Sequence, residues 1–369
     1  MKYLSVCSGI EAATVAFKPL GWEPIGFSEI KGFPSAVLKH HYSETPNFGD
    51  MSDYESWNFR RPGPESDEFL LCGGTPCQSF SVSGLRKGLS DERGNLTLTF
   101  VKLADHFNPD WIIWENVPGI LSSKDNAFGC FLAGLCGESE PYVPVRKWTK
   151  SGVVSGPKRT VAWRVQDAQY HGVAQRRRRV FVVAVPGTDN WECAQALFPV
   201  GEGMFWDSPK SRETAKETPG DAGKSTQSSG FKPLISFKSN MGSHGGEQKD
   251  LSPPLMKNQE NAVAFTVSKN SNGYAWEKEH SPSIDTTGGS NVNQQYGVRQ
   301  NMMVRRLMPE ECELLQGFPM GYTRISWRNK DPKDCPDGPR YKALGNSMAV
   351  PCMRFIGERI QMIKDQHGR

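Results

Sequence analysis

Cys77 follows Pro76 directly in the stretch LLCGGTPCQSFSVSG, which closes an apolar run. Proline fixes its own φ and lacks an N–H, and the two glycines before it let the chain turn sharply, so this thiol is presented at a strand tip. A thiolate held there can add to an electrophilic carbon. For TPC alone, a buried cysteine in a turn is the competing reading. The residues that follow, through Gln78, Ser81, Ser83, Arg86 and Lys87, make a poor lid for a core and a suitable one for a phosphate backbone.

Two further stretches end in groups able to manage charge. WIIWENVPG closes on Glu115 and Asn116, and AQRRRRVFVVAV runs four arginines, 176 to 179, into an apolar strand. A solvated strand-end carboxylate and a solvated charge run are the bland readings of each. Strand alternation would instead send Arg177 and Arg179 to one side and Arg176 and Arg178 to the other. Near the start, SVCSGIEAA reads as strand, tight turn at Gly9 and helix, the topology of a nucleotide site, and EPIGFSE ends in Glu29, where a carboxylate can accept from ribose hydroxyls. The GxGxxG pattern of a pyrophosphate-bearing dinucleotide is absent. Thiol, carboxyl, arginines and such a cofactor together suggest group transfer through a covalent adduct.

These groups need elements to hold them. YLSVCSG, EPIGFSE, EFLLCGG, WIIWENV and RVFVVAV read as strands that end in small or polar residues, alternating with amphipathic stretches. That is the α/β pattern of a parallel sheet with crossover helices. EAATVAFKPLG fits a helix opened by Glu11 and closed near Gly21. From about residue 201 to 300 the chain turns rich in Gly, Ser, Thr, Asn and Gln, with short strand-like fragments such as LISF and NAVAFTV, so irregular β structure is expected there. VRRLMPEECELLQGF and NSMAVPCMRFIGERIQMIKDQ read as two later helices, the last of them packing back on the first domain.

The 369 residues can bury one large core or two smaller ones, and a net charge of +4 permits an anionic partner without requiring one. Nine cysteines, with no CxxC pair and no histidine cluster at zinc spacing, read as reduced thiols; no metal site is expected. No run is long and apolar enough for a membrane helix and the N-terminus carries no leader pattern, so a cytoplasmic location is expected.

SVCSGIEA, FSE, FGDM, GGTPCQSFSVSG, RGNL, WENVPG, QRRRRVF, RRLMPEECELLQGFP and YKALGNSMAVP, in that order, resemble the motif series of the DNA (cytosine-5) methyltransferase family of bacteria and phages. The likeness covers residues 1 to about 185 and about 303 to 360. It implies a Rossmann-like, mostly parallel sheet of the S-adenosylmethionine-dependent methyltransferase fold over 1–190. A smaller, irregular β-rich target-recognition region would occupy 191–302, and 303–369 would return to the catalytic domain. It implies Cys77 as the nucleophile at cytosine carbon 6, Glu115 at ring nitrogen 3 and the exocyclic amine, and Arg179 at the ring carbonyl. Arg177 would support the thiol side, and Asn116 would fix the cysteine loop. For S-adenosylmethionine the pattern carries over to Cys7, Gly9, Ile10, Glu29, Asp50, Met51, Leu96, Asn346 and Ser347, and the loop of Gln78 to Arg93 would close over a flipped-out base. The chain departs from the family pattern at Cys7, Glu11 and Ala12, where an aromatic residue and glycines are usual, and at Arg178, where an acidic residue is common.

Double-stranded DNA is the implied partner, with a monomeric enzyme and a separate cognate restriction endonuclease, a solitary regulator or a phage-protective role as the contexts left open. The same chemistry on RNA, and a DNA-binding module without catalysis, are the alternatives. Retention of the catalytic set speaks against the second, and the long variable region against the first.

Overall fold

The computed structural model describes residues 1–63, 67–76, 96–198 and 307–368, with the backbone of short strands between 235 and 306. The central sheet is built from β1 (Lys2–Val6), β2 (Glu23–Ser28), β3 (Phe69–Gly73), β4 (Trp111–Asn116), β5 (Ser151–Ser155) and β6 (Arg159–Asp167). A two-residue strand β7 (Gln175–Arg176) precedes the seventh sheet member, β8 (Arg178–Pro186). Their spatial order is β2-β1-β3-β4-β8-β6-β5.

All five strands expected from sequence are present, and β5 and β6 are additional. The sheet is mixed rather than wholly parallel. β2, β1, β3 and β4 pair in parallel, whereas β8 runs antiparallel to both β4 and β6, and β5 antiparallel to β6. A parallel return needs a crossover of a dozen or more residues, usually helical, and the short link from β6 to β8 holds a 3₁₀ turn, Ala168–His171, and the two-residue β7, with no crossover helix.

Alternation along the strands feeds two cores. Tyr3, Cys72, Ile113 and Phe181 face one, and Leu4, Leu71, Ile112 and Val182 the other. The first is covered by α1 (Ala12–Phe17) and by helices from the chain's end. The second is covered by α3 (Leu96–Phe107) and α4 (Ala127–Cys136); α2 (Gly32–His41) follows β2, and α5 (Glu192–Leu197) follows β8. Glu11 opens α1 as its N-cap, accepting from the Thr14 amide, and Gly21 ends the following turn at φ 69°, as the sequence suggested.

Between 235 and 306 the backbone forms β9 (Ile235–Phe237), β10 (Glu247–Lys249), β11 (Val263–Asn270), β12 (Gly273–Trp276), β13 (Ser281–Pro282), β14 (Gln294–Gln300) and β15 (Met303–Arg306). β12, β11, β14 and β15 make a four-stranded sheet, and β13 pairs with β7 beside the arginine run. The helix expected from Val304 therefore starts later. Residues 303–306 pair with β14, and α6 spans Pro309–Gln316, with proline in its first turn and Glu311 accepting from the Met308 amide. The second expected helix, read from Asn346, likewise starts later: α7 (Asp337–Asn346), which the sequence reading did not include, ends where Ser347 turns extended, and α8 (Val350–His367) follows.

α8 packs on α1. Trp22 Nε1 donates to Gln361 Oε1 at 2.8 Å, and a Cβ on Gly357 would lie 2.8 Å from the Phe17 ring, so only glycine admits that approach. Among the described residues no helix is long and apolar enough to cross a membrane, and no group of three or more histidine, cysteine or acidic side chains is placed to hold a metal ion.

Candidate active site

The C-terminal ends of β1, β2, β3 and β4 open on one cleft of about 480 Å³. Open α/β sheets place ligands at this edge, because the chain must turn there and leaves backbone amides and side chains free to point outward.

At one end of the cleft stands the turn after β1. Cys7 and Gly9 both have positive φ, 49° and 58°, and the Gly9 amide donates to Glu29 Oε2 at 2.8 Å. The other Glu29 oxygen accepts from the Lys31 amide at 2.7 Å, so the carboxylate that closes β2 is fixed by backbone. Asp50 caps the short turn Met51–Ser56 by accepting from the Ser52 amide, and the Cys7 thiol points at Met51 Sδ, 3.5 Å away. Burial, followed by the neighbouring Glu29, pushes the Cys7 thiol up to about 12, so it stays neutral. Ile30, next to Glu29, is 66% exposed at the cleft although it is a large apolar residue.

At the other end, β4 delivers Glu115 and Asn116. Glu115 Oε1 lies 3.1 Å from Arg179 Nε on β8, a close ion pair rather than an aligned hydrogen bond. Burial raises the Glu115 carboxyl above the usual range, while Arg179 and then Arg177 pull it back down. The alternation read from the arginine run holds: Arg177 is buried and Arg179 half-buried, whereas Arg176 and Arg178 are exposed. Arg177 reaches across to the C-terminal segment, donating from Nη2 to the Gly345 and Ser347 carbonyls at 3.2 and 2.6 Å.

The strand end before Cys77 is anchored from three directions. Asn116 Nδ2 donates to the Thr75 carbonyl at 3.0 Å, Trp114 Nε1 donates to Thr75 Oγ1 at 3.0 Å, and the Thr75 and Thr97 hydroxyls are 3.0 Å apart. Gly74 keeps the approach close, since a Cβ would stand 3.0 Å from Met348 Cε and 3.2 Å from Glu115 Oε2 and would crowd both side chains.

Of the residues singled out from sequence, the cleft gathers Glu115, Asn116, Arg177 and Arg179 with Cys7, Gly9, Glu29, Asp50, Met51, Leu96 and Asn346. Two lie outside it. The Ile10 side chain is fully buried in the core, and its carbonyl accepts from the Tyr322 hydroxyl. Ser347 lines a smaller adjoining cavity. Cys77, Gln78, Ser81, Ser83, Arg86 and Lys87 lie outside the described residues.

Sequence reasoning did not single out Ile30, Thr75 or Trp114 as site residues. A lone threonine or tryptophan carries no periodic signal, and its partners come from other strands. Glu11 was read only as a helix opener and a departure from pattern, yet it borders the smaller cavity between Gly9 and Glu115.

The sequence comparisons identify a family. The model of the C-5 cytosine-specific DNA methylase family matches residues 1–362. The chain belongs to that family. Among relatives of this methylase, the DNA N-6-adenine-methyltransferase of Escherichia phage P1 is 38% identical over 97% of the chain and 61% of its own length. The type II methyltransferase M.DsaV of Dactylococcopsis salina is 24% identical, with 98% and 86% covered. The methylase chain thus spans about three fifths of the phage P1 relative. In fold it is similar to a DNMT2 mutant of Spodoptera frugiperda, with a TM-score of 0.54 at 16% identity over 98% of this chain and 99% of that one.

Proposed function

We propose that this protein transfers a methyl group from S-adenosylmethionine to carbon 5 of cytosine in a specific duplex DNA sequence. The observation that carries the reading is the Glu115–Arg179 ion pair, set in the same cleft as the Gly9–Glu29 turn and beside the anchored strand end that leads into Cys77. Membership of the cytosine methylase family supports it.

The residues present fit the cofactor. Glu29 is oriented by two backbone amides and keeps lone pairs for ribose hydroxyls, and Ile30 and Met51 offer apolar surface to a flat base beside Asp50. Bound in this cleft, S-adenosylmethionine supplies an electrophilic methyl on a sulfonium.

The chain's own groups do the rest. Carbon 5 of cytosine is a weak nucleophile, and addition of the Cys77 thiolate to carbon 6 makes it an enamine carbon able to take the methyl. A carboxyl raised by burial can hold a proton toward ring nitrogen 3 as charge builds, which is Glu115's part, while Arg179 holds the ring oxygen. Arg177 ties the catalytic edge to residues 345–347, and Asn116 holds the backbone two residues before the thiol. Loss of the carbon-5 proton then restores the ring double bond and releases the thiolate. The nucleotide must leave the stack to be reached, at a cost of a few kcal/mol, which contacts from the loop of residues 78–93 and from the recognition region, 191–302, offset. The protein acts as a cytoplasmic monomer on double-stranded DNA, beside a restriction endonuclease, as a solitary enzyme or as a shield for an invading genome.

The name of the phage P1 relative brings a second reading, methylation of adenine N6. An exocyclic amine brings its own lone pair to the methyl. It therefore needs neither a thiol that adds to the ring nor a guanidinium on a ring carbonyl, and Glu115, Arg177 and Arg179 favour cytosine. Nucleoside mass spectrometry after reaction of labelled cofactor with unmethylated duplex DNA and, separately, transfer RNA tests this. Label in 5-methyldeoxycytidine is expected. Label in N6-methyladenine, in RNA only, or nowhere would refute the reading.

A further inference from the structure

Glu11 is a buried carboxyl that pairs with no cation among the described residues. It is 1% exposed; Oε2 accepts from Ser5 Oγ at 2.9 Å, and Oε1 from the Thr14 amide and hydroxyl, both at 3.1 Å. Among the described residues no lysine, arginine or histidine makes an ion pair with it. Its backbone is held at φ 67°, in the left-handed region that glycine adopts freely and a glutamate does not. Strain and an uncompensated buried acid thus coincide at one residue, next to the Gly9 turn, and each is unfavourable by itself.

The space beside Glu11 gives these costs a purpose. A small cavity of about 30 Å³ separates it from Glu115, and Cys7, Gly9, Gly74 and Asn346 line both this cavity and the main cleft. It lies between the end where Glu29 and Asp50 sit and the end where β3 leads into Cys77.

We propose that Glu11 discriminates the cationic methyl donor from its neutral product, its carboxylate becoming charged when a sulfonium occupies the adjoining cleft and gaining nothing from the thioether of S-adenosylhomocysteine. The inference rests on the reading that this cleft binds S-adenosylmethionine. Donor and product share the nucleoside and the zwitterionic amino-acid portion, so the single positive charge on sulfur is the difference an unpaired buried carboxylate can read. Electrostatic attraction is strong there because water is excluded.

The remaining groups around Glu11 stay neutral near pH 7. Tyr3 on β1, Tyr42 at the end of α2 and Tyr322 after α6 are all raised by burial, as are the thiols of Cys7 and Cys72. Glu115, across the cavity and flanked by Arg179 and Arg177, is the other carboxyl that could respond. Burial raises Glu11 itself to about 7, so near neutrality the presence of a cation decides its charge.

Calorimetry of the whole protein in two buffers of different ionisation heat, between pH 6 and 8, tests the proposal. For the wild type, binding of S-adenosylmethionine should release more protons than in Glu11→Gln, and binding of S-adenosylhomocysteine should not. A one-unit fall in the Glu11 pKa on binding, from about 7, corresponds to a gain in the donor-to-product preference that grows from about twofold at pH 6 to about ninefold at pH 8, and Glu11→Gln should abolish it. Glu115→Gln should retain both effects. Equal release for the two ligands, an unchanged preference in Glu11→Gln, or loss of the effect in Glu115→Gln overturns the role of Glu11 while leaving cofactor binding intact. Absence of binding of either ligand to the wild type overturns the underlying reading as well. Infrared difference spectra of the wild type with ¹³C-labelled glutamate need no variant: a protonated-carboxyl band should vanish on adding the donor and persist with the product, and its persistence with both contradicts the proposal.

Discussion

Arg179 Nε stands 3.1 Å from Glu115 Oε1, with side-chain exposures of 16% and 10%, so a guanidinium from an antiparallel strand compensates a carboxyl that the sheet buries. Removing Arg179 takes away the larger of the two influences that hold the Glu115 carboxyl down, and its pKa must rise further. In Arg179→Gln, kcat is expected to fall about 100-fold, and the pH midpoint due to Glu115 should move to higher pH. A pH–rate profile checks this, and an unmoved midpoint would uncouple the two residues.

Arg177 has a structural task as well. Its guanidinium satisfies the Gly345 and Ser347 carbonyls from a position 2% exposed, so Arg177→Ala leaves buried acceptors without a donor and opens a cavity. A stability loss of about 3 kcal/mol is expected in urea unfolding. Arg177→Lys, which keeps the charge but not the fork, should recover only part of it.

Asn116 bonds two backbone groups, the Thr75 carbonyl and the Val117 amide. Asn116→Ala should cost about 1–2 kcal/mol of stability. The loss in kcat should exceed tenfold with little change in the KM for cofactor, because the strand end before Cys77 loosens while the Glu29 end of the cleft is untouched. A KM that rises in step with the fall in kcat would contradict this division of the cleft.

For the protein without ligand, the sign of the pH dependence follows from Glu11. Its pKa is raised from 4.5 to about 7 on folding, so the folded state binds more protons than the unfolded one between those values. Its contribution to stability is therefore fully present below about pH 4.5 and is lost as pH rises to about 7. Glu11→Gln should remove that slope from a series of melts at pH 5 to 8; a variant with the same slope as the wild type would place the titration elsewhere.

Covalent catalysis predicts a trap. Duplex DNA with 5-fluorocytosine at the target has no carbon-5 proton to lose, so an adduct that survives denaturant should accumulate with the wild type and not with Cys77→Ser. Gel analysis reads it directly, and a wild-type reaction without adduct would remove Cys77 from its role.

Much of the architecture was legible in local signals. Five of the seven sheet strands carry short apolar runs that end in small or polar residues, and Glu11 and Gly21 punctuate α1 by capping and positive φ, effects confined to a few neighbouring residues. The side of the strand on which Arg177 and Arg179 lie was legible too, since alternation is a property of the strand alone. The partition of residues 303–316 into β15 and α6 was not, because Val304 and Arg305 become a strand only through β14, a partner separated from them by several residues.

By itself, then, the sequence determined which chemical groups are present, their order, and which elements end beside them: a thiol after proline, a carboxyl closing β4, guanidiniums alternating from β7 into β8. Tertiary structure alone decided that β8 runs antiparallel beside β4 and brings Arg179 onto Glu115, that Asn116, Trp114 and Thr97 converge on Thr75, and that Glu11 is buried without a cation among the described residues. The division has a physical cause. Backbone conformation and capping are governed by neighbours in sequence, whereas the charge state of a carboxyl depends on water and on partners that only the packing of distant strands supplies.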